Sequence, residues 1–406
     1  MNGNKLALNV YLGNNLIAEL TLQNDQLHWS YSPEWQNSGF AVSPHLPLGE
    51  DIPSVNVQRF LRNMLPEGNG LEELVANFHL SKFNTFGLIQ ALGMDTPGAL
   101  QLIPTKKTYP PSSSFRVINK NELQQRLETR NDFSLIVWDG KPRLSVAGLQ
   151  DKINVVLNEK HELGFGEGNL CSTHILKFEK QKFSFLVLNE FISMKLAQKC
   201  GLNVANVDLM YFGQHPALLV ERFDREFISI SEVRRRHLID GCQALNLPPE
   251  YKYERNFGSG RDVAHIRDGA SLPQIFDFSK ECDNPVLTKQ QILDWVLFNL
   301  LIFNYDAHGK NISFFVGARG IALAPFYDLV NIKMYPQVEH ELAMALGDEF
   351  DATSTHAYEL ADFADSCLLA RSFVQQRLKL MIRKVQVSLE QIIGSMEGSP
   401  EEQAFL

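Results

Sequence analysis

The stretch 289–304 constrains the fold more than any other part of this sequence. Trp295, Val296, Leu297, Phe298, Leu300, Leu301, Ile302 and Phe303 leave it almost no polar face, and within 292–303 only Asp294 and Asn299 interrupt the apolar run. It is too short to span a bilayer. A helix apolar nearly all round is buried on every side, so the spacing predicts the central helix of a helical lobe. With 406 residues the chain can enclose such a helix and build a further lobe besides. Val374, Leu378, Met381, Val385, Leu389 and Ile392 recur at three- and four-residue intervals. They mark an amphipathic helix to pack against the first, followed by a frayed tail over 394–406.

Ahead of this lobe the pattern changes to strands. Alternation over 5–12 and 15–22 around Gly13 predicts a hairpin, with a short strand near 27–31. Helices are expected over 55–65, 71–78 and 85–92, then a strand over 99–103. A proline- and serine-rich stretch, 104–114, reads as a linker. Strands follow at 152–157, 174–178, 207–211 and 217–222, with one long helix over 183–200 stopped by Gly201. After Phe223 the character is expected to be mainly helical. The division is therefore 1–104, a β-rich N-terminal subdomain with short helices; 115–223, a second strand-rich unit; and 224–406, an α-helical lobe. Such an α+β, bilobal arrangement offers a cleft of the kind that nucleotides use.

Net charge is −9, which sets the global field against nucleic acid and anionic lipid. Five cysteines are scattered, never as Cys-x-x-Cys, and read as reduced thiols of a cytoplasmic protein rather than a disulfide frame or zinc site. The opening residues lack the apolar core of a leader. The dense basic run Arg234, Arg235, Arg236 reads first as a solvated helix start, and otherwise as a contact for phosphate or an acidic partner.

Chemistry concentrates directly after the buried helix, in Asn304-Tyr305-Asp306-Ala307-His308-Gly309-Lys310-Asn311. Phosphoryl transfer needs a carboxylate to orient and deprotonate the attacking hydroxyl, and oxygen ligands for Mg²⁺. An Asp followed five positions later by Asn supplies both from one loop. A hairpin over 312–324 then leads to Pro325-Phe326-Tyr327-Asp328, a second carboxylate where a kinase keeps its main metal ligand. Upstream, Lys177 lies within an apolar strand, where an ammonium is costly unless it meets an anion. Glu190 on the next helix could hold it in place. Ser145-Val146-Ala147-Gly148-Leu149-Gln150-Asp151-Lys152 is a small-residue turn whose amides could bind phosphate. It matches neither the Gly-x-Gly-x-x-Gly nor the Walker pattern.

Together these segments resemble the HipA family of bacterial toxin kinases over nearly the whole chain. The resemblance also rests on Phe60–Gly68, Asp95-Thr96-Pro97-Gly98, Thr173–Lys177 and Val220-Glu221-Arg222-Phe223-Asp224-Arg225. It implies a kinase-like fold with Asp306 as catalytic base, Asn311 and Asp328 as Mg²⁺ ligands, and Lys177 on the phosphates of ATP. Ala147, Gly148, Leu149, Gln150, Asp151 and Lys152 resemble the phosphate loop, and Glu221, Arg222 and Phe223 the adenine hinge. His308, Lys310 and Tyr327 would line the nucleotide site. Ser145 resembles the serine that family members autophosphorylate. The resemblance further implies a HipB-like helix-turn-helix antitoxin as partner, with DNA met mainly through it. The protein substrate has a family precedent in aminoacyl-tRNA synthetases. The sequence departs from the pattern at Leu238-Ile239, where the family commonly has Gln-Glu, and at Leu149 and Asp151. A small-molecule kinase of the same fold, or a catalytically idle partner-binding protein, are the competing readings.

Overall fold

The structure is a computed structural model that describes residues 6–92, 95–107, 113–130, 134–135, 137–143, 151–180, 182–396 and 400–405. The chain divides into two compact units. The first takes in the chain up to Phe178 together with Met210–Ile239 and Phe315–Gly320; the second comprises Glu179–Leu209, Asp240–Phe314 and the chain from Ile321 onward.

In the first unit, β1 (Leu6–Leu12), β2 (Asn15–Gln23) and β3 (Gln26–Tyr31) form an antiparallel meander, which β4 (Leu100–Pro104) completes in the order β3-β2-β1-β4. The turn between β2 and β3 holds Asn24 and Asp25 at φ of 50° and 59°. These two residue types tolerate the left-handed backbone that a tight hairpin demands. One face of the sheet buries Leu8, Val10, Leu20 and Trp29. Trp29 meets Phe60 of helix Ser54–Asn63 edge-on, with ring centroids 6.0 Å apart.

The same unit contains β5 (Ser114–Val117), the two-residue pair β6 (Val137–Trp138) and β7 (Lys141–Pro142), β8 (Lys152–Leu157), β9 (Leu163–Glu167), β10 (His174–Phe178), the second half of β11 (Val207–Phe212) and β12 (His215–Glu221). Six of them pair in the order β11-β12-β10-β8-β9-β5. Their apolar face packs with Leu123 and Leu127 of helix Lys120–Glu128 around Trp138, Phe165 and Phe178. This helix is a second one in a region expected to hold a single helix. Leu123 and Leu127, one turn apart, are its whole apolar stripe, too short to stand out from the surrounding polar residues.

The expected change to helix after Phe223 does not occur there. Instead β13 (Arg225–Ser229) and β14 (Glu232–Arg235) form a hairpin, with Phe227 opposite Val233. The basic run is therefore strand and not a helix start: Arg234 pairs with Glu226, and the Arg236 guanidinium lies 3.7 Å from the centroid of the Phe315 ring. Stacking on an aromatic face suits a planar guanidinium.

In the second unit, helix Pro285–Leu301 carries the apolar run, with Trp295, Leu297 and Phe298 fully enclosed. Both interruptions of that run are answered internally. Asp294 accepts from Arg377 Nε at 2.8 Å, and Asn299 Oδ1 accepts from Asn304 Nδ2 at 2.9 Å. Arg377 belongs to helix Arg371–Ser395, which packs on Pro285–Leu301 and on Leu186–Lys199. The tail departs from the frayed end expected of it. Pro400–Phe405 is helical, and Phe405 stacks on Phe185 at 4.9 Å, because an aromatic partner fixes the turn.

Candidate active site

The loop after the central helix is built by backbone chemistry before any side chain acts. Helix Pro285–Leu301 ends at the cap Ile302, and Phe303 turns left-handed at φ 53°. Asn304 then receives the Asp306 amide on its Oδ1 at 3.2 Å, while its own amide nitrogen holds Asn299. A chain of carboxamides thus runs from the buried helix to the backbone of Asp306. On the far side, His308 caps a 3₁₀ turn, Gly309–Asn311, with Nδ1 accepting from the Lys310 amide at 3.2 Å. Gly309 approaches its neighbours so closely that a Cβ there would lie 2.6 Å from the Ala270 Cβ, a distance real side chains do not adopt.

The side chains that this backbone presents form one cluster within the second unit. Asn311 Nδ2 donates to the Asp306 carbonyl at 2.8 Å, so the side-chain oxygen is the atom through which Asn311 can bind a cation. Asp306 Oδ1 accepts the Tyr253 hydroxyl at 2.6 Å, and its side chain keeps 37% of its surface exposed. His308 Nε2 stands 3.9 Å from the same carboxylate. Burial, then the neighbouring Lys252 ammonium, push the His308 ring well below the usual imidazole range. It is therefore neutral, and because Nδ1 accepts, the proton resides on Nε2.

Lys310 is buried, and its ammonium is 2.6 Å from Asp240 Oδ2. Asp240 also caps Gly241–Ala244 in a reciprocal box with Gln243, which gives the segment with the departure at Leu238-Ile239 a clear local role. Tyr327 donates to the Lys310 carbonyl at 2.7 Å and exchanges a 2.7 Å bond with Ser313; burial drives its phenol far above the ordinary range. Asp328, next in sequence, is held at φ 60°. That is a strained setting for a side chain, of the kind that gathers at functional sites.

In the first unit, Lys177 of β10 stands in register with Lys152 of β8, and both are buried. Residues directly opposite in an antiparallel pair project from the same face, so two ammonium groups share one face of the sheet. Glu221 is exposed, and Phe223 meets Phe315 edge-on at 5.9 Å. Arg222 is buried and engaged internally, with Nε on Asp224 Oδ1 at 3.0 Å and a terminal nitrogen on Ser172 Oγ at 2.9 Å. Asp151 accepts the Phe178 amide on its carbonyl at 2.8 Å. Ser145, Ala147, Gly148, Leu149 and Gln150 lie outside the described residues. Glu190, on helix Leu186–Lys199 of the second unit, is buried.

The structure thus brings Asp306, His308, Lys310, Asn311, Tyr327 and Asp328 into one loop system, and Lys152 with Lys177 onto one sheet face. Sequence reasoning missed Tyr253, which lies in Tyr251-Lys252-Tyr253-Glu254 without any motif signal, and Asn299, which looked only like an interruption of a helix.

The donors suit a hard cation: an amide oxygen and a carboxylate, both oxygen ligands. Among the described residues no group of three or more His, Cys, Asp or Glu could hold a metal. Mg²⁺ does not require one, since it is commonly bound through one or two protein carboxylates with substrate phosphates.

Comparison with known proteins converges on one family. Residues 144–392 match the HipA-like C-terminal domain and residues 8–103 the HipA N-terminal domain. The serine/threonine-protein kinase toxin HipA of Shewanella oneidensis is 46% identical over 402 residues, covering 98% of this chain and 92% of that one. Y4mE of Sinorhizobium fredii is 28% identical over 95% of this chain and 91% of its own. The solved complex of Shewanella oneidensis HipA, HipB and operator DNA contains a chain that superimposes with a TM-score of 0.90, covering 98% of this chain and 93% of that chain.

Proposed function

The chain belongs to the HipA family, and on that footing we propose that it is an ATP-dependent protein serine/threonine kinase, the toxin of a toxin–antitoxin pair. The observation that carries this reading is the 2.8 Å bond from Asn311 to the Asp306 carbonyl. It holds the side chain read as a metal ligand against the backbone of the residue read as the base.

Asp306 accepts the proton of the attacking hydroxyl. Asn311 and Asp328 would offer oxygens to a magnesium ion, which would supply positive charge against the phosphates of ATP. Lys177 and Lys152 supply cations for the phosphates, together with the amides of the loop Ala147–Gln150. Glu221 and Phe223 border the base; the Arg222 guanidinium, already engaged by Asp224, supports that hinge from within. His308, neutral, contributes an Nε2–H near the Asp306 carboxylate and adds no positive charge there. Lys310 and Tyr327 hold the loop in shape through Asp240 and Ser313.

Autophosphorylation of Ser145 would place about two negative charges in the phosphate loop, expelling it and closing the nucleotide site. The solved Shewanella assembly supports a HipB-like antitoxin as partner, with operator DNA engaged through it. A net charge of −9 gives this chain little attraction of its own for DNA. The substrate proposed is a cytosolic protein, with an aminoacyl-tRNA synthetase as first candidate. A cytoplasmic location suits the scattered free thiols, and no helix of the described residues is long and apolar enough to cross a membrane.

The test is transfer of labelled γ-phosphate from ATP, offered in parallel to protein acceptors, aminoglycosides and choline, with mapping of label on the chain itself. Label on proteins and on Ser145 is the expected result. Transfer confined to the small molecules would replace the proposal with a small-molecule kinase.

A further inference from the structure

The Tyr253 hydroxyl lies 2.6 Å from Asp306 Oδ1, a length typical of a hydroxyl donating to an ionised carboxylate. The tyrosine is not there by accident of a floppy loop. On one side of it, the Lys252 carbonyl accepts the Gly309 amide at 2.9 Å, which ties this segment to the 3₁₀ turn that carries Asn311. On the other side, buried Glu254 accepts the Ala345 amide at 2.8 Å and Arg267 Nε at 2.7 Å, while its own amide donates to the Ala343 carbonyl. The Tyr253 ring stands perpendicular to the buried, neutral His308, with centroids 5.1 Å apart. Backbone, ring and hydroxyl are each fixed by a different partner.

We propose that Tyr253 is a positioning residue for phosphoryl transfer, whose hydroxyl sets the plane of the Asp306 carboxylate toward the acceptor. The inference rests on Asp306 being the base. A carboxylate can rotate about its Cβ–Cγ bond, and a donor held rigidly on one oxygen removes that freedom. Tyr253 retains its own proton throughout.

Tyr253→Phe removes one oxygen and keeps the ring against His308, so a purely space-filling tyrosine would tolerate it. The probes are labelled γ-phosphate transfer to the chain itself and to myelin basic protein at saturating magnesium-ATP. Losing a hydrogen bond to a charged group is expected to lower the rate about 10- to 100-fold. ATP affinity by calorimetry and Tm should stay at their wild-type values. In Asp306→Asn the further change Tyr253→Phe should cost nothing more, because its effect passes through the carboxylate. Three results overturn the inference: a wild-type rate in Y253F, an equal loss added on top of D306N, or a rate loss matched by lost ATP affinity. A crippled D306N with normal Y253F defeats the inference alone. Normal transfer by D306N defeats the kinase assignment beneath it.

Discussion

A buried charge cluster in the first unit and the Asp306 carboxylate in the second are built on opposite principles. In the first unit Arg222, Asp224 and Arg225 are almost fully enclosed, with side chains 3%, 7% and 0% exposed. Asp224 Oδ2 receives Arg222 at 2.9 Å, Arg225 at 2.7 Å and the Gly98 amide at 2.9 Å. Arg225 donates on to the carbonyls of Thr96 and Gly98, each at 2.7 Å. Burial alone would raise the Asp224 carboxyl, yet the two guanidiniums outweigh it and hold the group well below the carboxylate range. In the second unit the Asp306 carboxylate is anchored by Tyr253 but stays more than a third exposed. A closed knot fastens one piece of chain to another; a carboxylate more than a third exposed can meet a substrate. Both segments carry resemblance to the same family, so motif strength does not separate scaffold from chemistry. Between the Asp224 and Asp306 carboxylates, exposure does.

That contrast can be broken by mutation. Asp306→Asn is expected to lower phosphoryl transfer by about 10²–10⁴ while leaving thermal stability close to wild type; a large loss of Tm with retained transfer would reverse the assignment of roles. Asp224→Ala should do the opposite. It takes from two buried guanidiniums their nearest carboxylate, leaving them Asp95 at 3.6 Å, and is expected to cost about 3–5 kcal/mol in urea unfolding. A change below roughly 1 kcal/mol would mean that water already reaches the knot.

A smaller effect sharpens the same picture through pH. Burial pushes the His237 imidazole down to about 4, with Nε2 donating to the Val42 carbonyl at 2.8 Å. The folded state keeps this ring neutral, so the unfolded chain takes up the proton first. Its stability contribution is whole above the unfolded value of 6.5 and declines as pH falls toward about 4. The slope is at most about 1.4 kcal/mol per pH unit. His237→Gln should flatten urea midpoints across that window; an unchanged slope would show that other groups set the acid sensitivity. Smallest of all, Glu226→Ala at the exposed pair with Arg234 should shift stability by no more than about 0.5 kcal/mol.

The parts of the fold that could be read from sequence were those with a local physical signature. The largely apolar stretch 289–304 pointed to a central helix, which runs from Pro285 to Leu301, and Asp306, Asn311 and Asp328 stand out by residue type and spacing. The hairpin at 225–235 was obscured because three consecutive arginines mask the alternation of Phe227 and Val233 with their neighbours. Arg222 also contacts Thr96, 126 residues away, a contact that no local pattern announces. Tyr253 was invisible for the same reason, since its partner lies 53 positions along the chain. Contacts of that span leave no periodicity to detect.

The most direct measurement is calorimetric titration of ATP into wild type, D306N and Asp328→Ala, each with and without Mg²⁺. The account predicts that D306N binds magnesium-ATP like wild type although it transfers little, whereas D328A loses the gain in affinity that Mg²⁺ provides. Equal, magnesium-independent binding by all three proteins would contradict the placement of metal and base on this loop.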